Sequence, residues 1–139
     1  MSTVLVALDS SAAAPKVLEA AVAQARHLGA TLTLIRAVGL PTELPLEAYA
    51  MAPDSVADLL VKAAKVELGR HAESLPPGML RESIAEVGVP WRVICDTAKR
   101  LESPMIVLGA HGHRLLDGLV GTTTTRVVNH ADRPVLVVR

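Results

Sequence analysis

Short β-branched apolar runs alternate along this chain with segments whose apolar residues recur at helical spacing, and that alternation leaves few folds open. Thr3-Val4-Leu5-Val6-Ala7-Leu8 is short and apolar enough to be a strand buried on both faces. Asp9-Ser10-Ser11 stops it with side chains suited to helix capping, and Pro15 suits a first helical turn. Val17, Leu18, Ala21, Val22, Ala25 and Leu28 then repeat with helical period until Gly29 ends the pattern. Thr31 to Val38 is a second β-branched strand. Gly39 to Pro53 carries three prolines and no steady period, so it reads as a long loop, in which Tyr49 and Met51 are candidates to cover a ligand. Asp54-Ser55 are expected to cap a helix with the stripe Val56, Leu59, Leu60, Ala63, Ala64, Leu68 and Ala72, broken at Pro76-Pro77-Gly78. Leu80 to Val87 mixes charge with apolar residues, as a strand at a sheet edge does. Val89-Pro90 opens a helix that turns Val93, Ile94, Ala98 and Leu101 inward. Met105 to Leu108 is another buried strand, followed by a glycine- and histidine-bearing loop from Gly109 to Val120. Thr122 or Thr123 is expected to cap a short helix through Ala131, and Pro134 to Val138 is the final strand.

Strand and helix in strict alternation require right-handed crossovers and a parallel sheet covered on both faces. The expectation is a Rossmann-like α/β fold of five strands in the order 3-2-1-4-5, one domain over residues 1–139. Phenylalanine is absent and aromatics make up 1% of the chain, so Val, Leu, Ile and Ala must build the core. Lys plus Arg equals Asp plus Glu at 14 each, which removes the electrostatic footprint of a nucleic-acid or membrane-surface binder. Cys95 is the single cysteine and has no internal partner, which favours a reducing compartment. It falls in an apolar helical stripe, and burial and inertness are expected of it. No run has the length of a membrane span and no leader pattern opens the chain, so a cytoplasmic, soluble protein is expected.

In open parallel sheets a ligand sits beyond the carboxyl ends of the strands, where the strand order reverses. With the order 3-2-1-4-5 the switch lies between the first and fourth strands. Asp9-Ser10 and Gly109-Ala110-His111-Gly112, far apart in sequence, become neighbours there. Gly109 and Gly112 let backbone amides approach an anion closely. Gly121-Thr122-Thr123 stands at a helix start, where free N–H groups and the positive dipole end attract phosphate. Asp9 only accepts hydrogen bonds, which suits ribose hydroxyls and repels phosphates.

Gly109-Ala-His-Gly112, eight residues, Gly121-Thr122, and the closing Asn129-His-Ala-Asp-Arg-Pro134-Val-Leu-Val-Val resemble the C-terminal signature of the universal stress protein family. Val4-Leu-Val-Ala-Leu-Asp9 is similar to that family's opening strand, so the resemblance covers essentially the whole chain. The family's ATP-binding branch has nine residues where this chain has eight between Gly112 and Gly121. The resemblance implies ATP, alone or with Mg²⁺, as the ligand. Asp9 would meet the ribose, with Leu8 beside it, and the backbone around Ala7 and Val38 would flank the adenine. Leu108, Gly109, His111, Gly112, His113, Gly121, Thr122 and Thr123 would wrap the ribose and phosphates. It also implies a homodimer, and the apolar strand 134–138 at the sheet edge points the same way, because an uncovered edge of that composition templates aggregation.

His111 and His113 have no carboxylate or cysteine spaced around them as a metal site needs, so a polar loop role is expected. His111-Gly-His113 resembles part of the HxGH signature of nucleotidylyl transferases, but that motif follows a first strand and this one a fourth. His27, His71, His130 and Trp91 are expected at helix surfaces or in packing. No Walker lysine and no obvious base is present, so a regulatory nucleotide-binding protein of stress response is expected ahead of a slow ATPase or phosphotransfer enzyme. A structural dimer of the same fold without ligand is the remaining alternative.

Overall fold

The computed structural model describes residues 2–39, 53–110 and 120–139. Along the chain come β1 (Thr3–Ala7), α1 (Ala14–Leu28), β2 (Thr31–Val38), α2 (Pro53–Glu73), β3 (Leu80–Val87), α3 (Pro90–Arg100), β4 (Ile106–Gly109), α4 (Thr122–His130) and β5 (Val135–Val138). The strands form one sheet in the order β3-β2-β1-β4-β5, and every neighbouring pair is parallel. This is the expected topology, with the order reversing between β1 and β4.

The period of two along each strand divides the core into two layers. Val4, Val6, Leu32, Leu34 and Val107 face α1 and α2, where Val17, Leu18, Ala21, Ala25 and Leu68 meet them. Leu5, Ile35, Ile106 and Leu108 face the other way, against Val93, Ile94 and Ala98 of α3 and Val127 of α4. The alanines on α1 let that helix lie close to the sheet, which is how a core without phenylalanine closes. Each fully buried Val, Leu or Ile side chain contributes roughly 1.5–3 kcal/mol relative to exposure.

Local details differ from the sequence expectations at several helix ends. At α1 the N-cap is Ala13 and no side chain caps it; Asp9 Oδ1 instead accepts the Ser11 N–H at 2.9 Å and Ser11 Oγ accepts the Ala13 N–H at 3.4 Å. Asp9 and Ser11 therefore shape the turn into the helix rather than its first turn. Gly29 at φ 64° ends α1 as expected, since a left-handed residue there costs glycine nothing. Helix α2 already begins at Pro53, ahead of the Asp54-Ser55 pair. Leu59 on α2 is 54% exposed although it belongs to the apolar stripe, and Leu28 at the end of α1 is 43% exposed. At α4 the N-cap is Gly121 with no side-chain cap bond, so neither Thr122 nor Thr123 caps.

Two contacts tie α3 to the elements after it. Arg133 Nη1 donates to the Ala98 carbonyl in the last turn of α3 at 2.7 Å and to the Ser103 carbonyl just beyond that helix at 2.9 Å. Trp91 stacks on His130 with ring centroids 4.2 Å apart, so both rings serve the packing of α3 on α4.

Candidate functional site

The switch between β1 and β4 creates a cleft, because the crossovers leaving these two strands depart to opposite faces of the sheet. Ala7 of β1 lies in register with Leu108 of β4 and with Ile35 of β2, so three strands end side by side. The Leu8 N–H still donates to the Ile35 carbonyl at 2.9 Å, which carries β1 one residue further before the chain turns at Asp9.

The fourth strand's exit is pinned more firmly. The Ala110 N–H donates to the Val138 carbonyl at 2.8 Å, and the Ala110 carbonyl accepts the Gly121 N–H at 2.6 Å. Thr124 Oγ1 donates to the Gly109 carbonyl at 2.6 Å, and Thr124 is buried. Thr125 Oγ1 turns back to the Gly121 carbonyl at 3.0 Å. These bonds hold the start of α4 against the end of β4. They also show where the threonine hydroxyls go: Thr124 and Thr125 bond carbonyls behind them, and the cap position falls to Gly121. The N–H groups of Thr122, Thr123 and Thr124 form the first turn, where an α-helix supplies no partner. They and the positive end of the helix dipole border the cleft.

The resulting cavity has a volume of about 630 Å³, within the usual range for small-molecule sites. Of the residues singled out from sequence, Ala7, Leu8, Asp9, Leu108, Gly109, Gly121, Thr122 and Thr123 line it. Val38 does not; it lines a smaller pocket of about 250 Å³ beside α2, and its carbonyl accepts the Gly88 N–H at 3.1 Å. Its neighbour Ala37 borders both spaces, as Arg36 does, so the end of β2 runs along the wall between them. His111, Gly112 and His113 lie outside the described residues, as do Tyr49, Met51 and most of the segment from Gly39 to Pro53.

Sequence reasoning passed over Ser11, Ala14, Ile35, Arg36, Ala37, Pro90, Ile94 and Thr124, all of which line the same cavity. Most are apolar residues in strands and helices whose pattern speaks only of packing. Arg36 did carry a signal, as the one charge interrupting the second strand's apolar run. Its Nη1 stands 2.5 Å from Glu67 Oε2 on α2.

The chemistry of the walls is mostly neutral. Among the described lining residues Asp9 and Arg36 are the only charged ones. Among the described residues no group of three or more His, Cys, Asp or Glu stands close enough to hold a metal ion, and no helix is long and apolar enough to cross a membrane. The donors suited to an anion are backbone N–H groups and threonine hydroxyls at the β4–α4 side. Asp9, at the end of β1, offers a carboxylate acceptor. Cys95 lies apart from these walls, half-buried rather than buried. Desolvation first, and the nearby Asp96 and Asp132 carboxylates after it, push its thiol above the usual value.

Comparison with known proteins places this geometry in context. The model of the universal stress protein family matches residues 1–139. A universal stress protein of Synechocystis sp. is 34% identical over 94 residues, which are 66% of this chain and 55% of that protein. The match thus spans about half the length of that relative. Universal stress protein UspA from Lactobacillus plantarum is 30% identical, with a TM-score of 0.78 over 99% of this chain and 97% of its own. The universal stress protein from Archaeoglobus fulgidus, solved in complex with dAMP, has a TM-score of 0.63 over 100% of this chain and 98% of its own. At 20% identity, that last likeness speaks for the fold alone.

Proposed function

The chain belongs to the universal stress protein family, and we propose that it binds an adenine nucleotide, ATP alone or as its Mg²⁺ complex, as a regulatory receptor of stress response. The observation that carries this reading is the convergence of Asp9 and of the Gly109 and Gly121–Thr124 backbone on one cavity of about 630 Å³. A carboxylate acceptor suits ribose hydroxyls, and a neutral cradle of N–H and hydroxyl donors at a helix start suits phosphate. The dAMP complex of the Archaeoglobus relative supports an adenine nucleotide as the ligand class.

In this reading Ala7, Leu8 and Ala37 flank the base, with Val38 behind them. Asp9 holds the ribose. Leu108, Gly109, Gly121, Thr122 and Thr123 follow the ribose and phosphates, and His111, Gly112 and His113 extend the same loop. The described donor set is a phosphate cradle rather than a cation cage, so Mg²⁺ would arrive on the phosphates and keep most of its waters. Turnover is not part of the proposal. Phosphoryl transfer needs a positioned base and charge stabilisation at the transferring group, and Asp9 is the only carboxylate among the described lining residues.

The rest of the proposal concerns context: one domain, a cytoplasmic setting, no nucleic-acid partner, and a homodimer through β5. The support for the dimer is the position of β5 at the sheet edge with four apolar residues that remain partly exposed. Mass spectrometry of nucleotide carried through purification tests the main reading. Adenine nucleotide near one equivalent per chain is expected, and a protein that carries none and takes up none at millimolar ATP would remove it.

A further inference from the structure

Arg36 is the only cation among the described residues that line the large cavity, and it borders the smaller pocket as well. Its partner Glu67 lines only the smaller pocket. The two side chains meet at 2.5 Å with 21% and 31% of their surfaces exposed, so this is a half-buried pair at the wall between the two spaces. A charge held this way is neutralised where it stands. With Asp9 the remaining charged group, the described walls present net negative charge to whatever enters.

From this we infer that Glu67 sets how much negative charge the site accepts: by pairing Arg36 it lowers the preference for a nucleoside triphosphate relative to a monophosphate. The inference rests on the nucleotide reading above and names the regulation of that same site. Glu67 is a positioning residue that acts through Arg36, and Arg36 is the member of the pair that lines the large cavity.

The size of the effect follows from the sheet. Arg36 belongs to β2, and the phosphate-suited backbone lies at β4, with β1 between them. Two strand spacings are about 10 Å. At that distance, and at an effective dielectric constant of about 40–80, one unit of charge changes affinity by about two- to fourfold. ATP carries roughly two more negative charges than AMP, so unmasking Arg36 should favour ATP over AMP by about four- to fifteenfold at low ionic strength. Screening reduces this to about twofold near 0.15 M salt.

The test is a calorimetric titration of adenosine, AMP and ATP into wild type, Glu67→Gln, Arg36→Met and the double variant, at low and at physiological salt. Glu67→Gln should raise the ATP-to-AMP affinity ratio, and Arg36→Met, which leaves Glu67 unpaired, should lower it. The double variant should return to the wild-type ratio, because any change at the base side of the cavity acts on all three ligands alike and cancels in the ratio. A pair that only braces α2 would weaken all three ligands together in both single variants, with no dependence on salt. That outcome, or an equal ratio in all four proteins, overturns the charge role and leaves the nucleotide reading standing. Failure of wild type to bind any of the three ligands overturns both.

Discussion

Removing one hydroxyl, in Thr124→Val, should loosen the whole site. The substitution keeps shape and β-branching, and helix propensity is nearly equal for the two residues. What is lost is the 2.6 Å bond from Thr124 Oγ1 to the Gly109 carbonyl, which pins the start of α4 to the end of β4. An acceptor stripped of its partner costs about 1–3 kcal/mol when buried. Gly109 is only partly buried and lines a cavity that admits water, so the lower end, about 1 kcal/mol, applies. For a chain of this size that corresponds to a fall in melting temperature of about 3–5 °C. Nucleotide affinity should fall as well, because the N–H groups of Thr122 and Thr123 no longer have a fixed place. Thr125→Val is the control. Its hydroxyl back-bonds the Gly121 carbonyl on an exposed face, so its loss should change stability by less than about 0.5 kcal/mol. Calorimetric melting and ATP titration of both variants check this. Equal melting temperatures and affinities for Thr124→Val and wild type would refute the assignment of Thr124 as the latch.

Two further outcomes follow from other parts of the molecule. Burial raises the Cys95 thiol above the usual value for a cysteine, so its alkylation by iodoacetamide at pH 8 should be slower than that of a free cysteine peptide and accelerate as pH rises. Because the folded-state value is the higher one, this group's contribution to stability is full below the unfolded value and is lost as pH climbs through the folded one; a thiol as fast as the peptide's at pH 8 would contradict it. Light scattering should give the mass of two chains at micromolar concentration, since β5 presents an apolar edge, and the mass of one chain would exclude the proposed dimer.

Much of the fold was legible because its signals are local. The run from Thr3 to Leu8 reads as a doubly buried strand, and β1 is indeed covered on both faces, with Val4 and Val6 in one layer and Leu5 in the other. The charged residues of Leu80 to Val87 read as an edge strand, and β3 stands at the edge. Topology alone then brought Asp9 and Gly109 together, because a strand order that reverses between β1 and β4 leaves no other place for their ends. What stayed hidden was non-local. Thr124 stands in a run of four threonines, and only its bond across fifteen residues to the Gly109 carbonyl separates it from Thr125. Arg36 and Glu67 are 31 positions apart on different elements, and no periodicity announces such a pair. Asp9 read equally well as a helix cap or a ligand contact. In the structure it orders the turn at Ser11 from a position on the cavity wall, one helix turn short of being a cap.

Titration of ATP into the wild-type protein and into Asp9→Ala, with the melting temperature of each ligand-free protein beside it, tests the central claim most directly. Wild type should bind ATP saturably at one site per chain. Asp9→Ala should bind about ten- to a hundredfold more weakly, the loss expected for a hydrogen bond to a charged group, while its turn bond to Ser11 costs the fold only about 1 kcal/mol. Undiminished ATP affinity in Asp9→Ala, or no binding by wild type at millimolar ATP, would contradict the claim that this cavity is a nucleotide site.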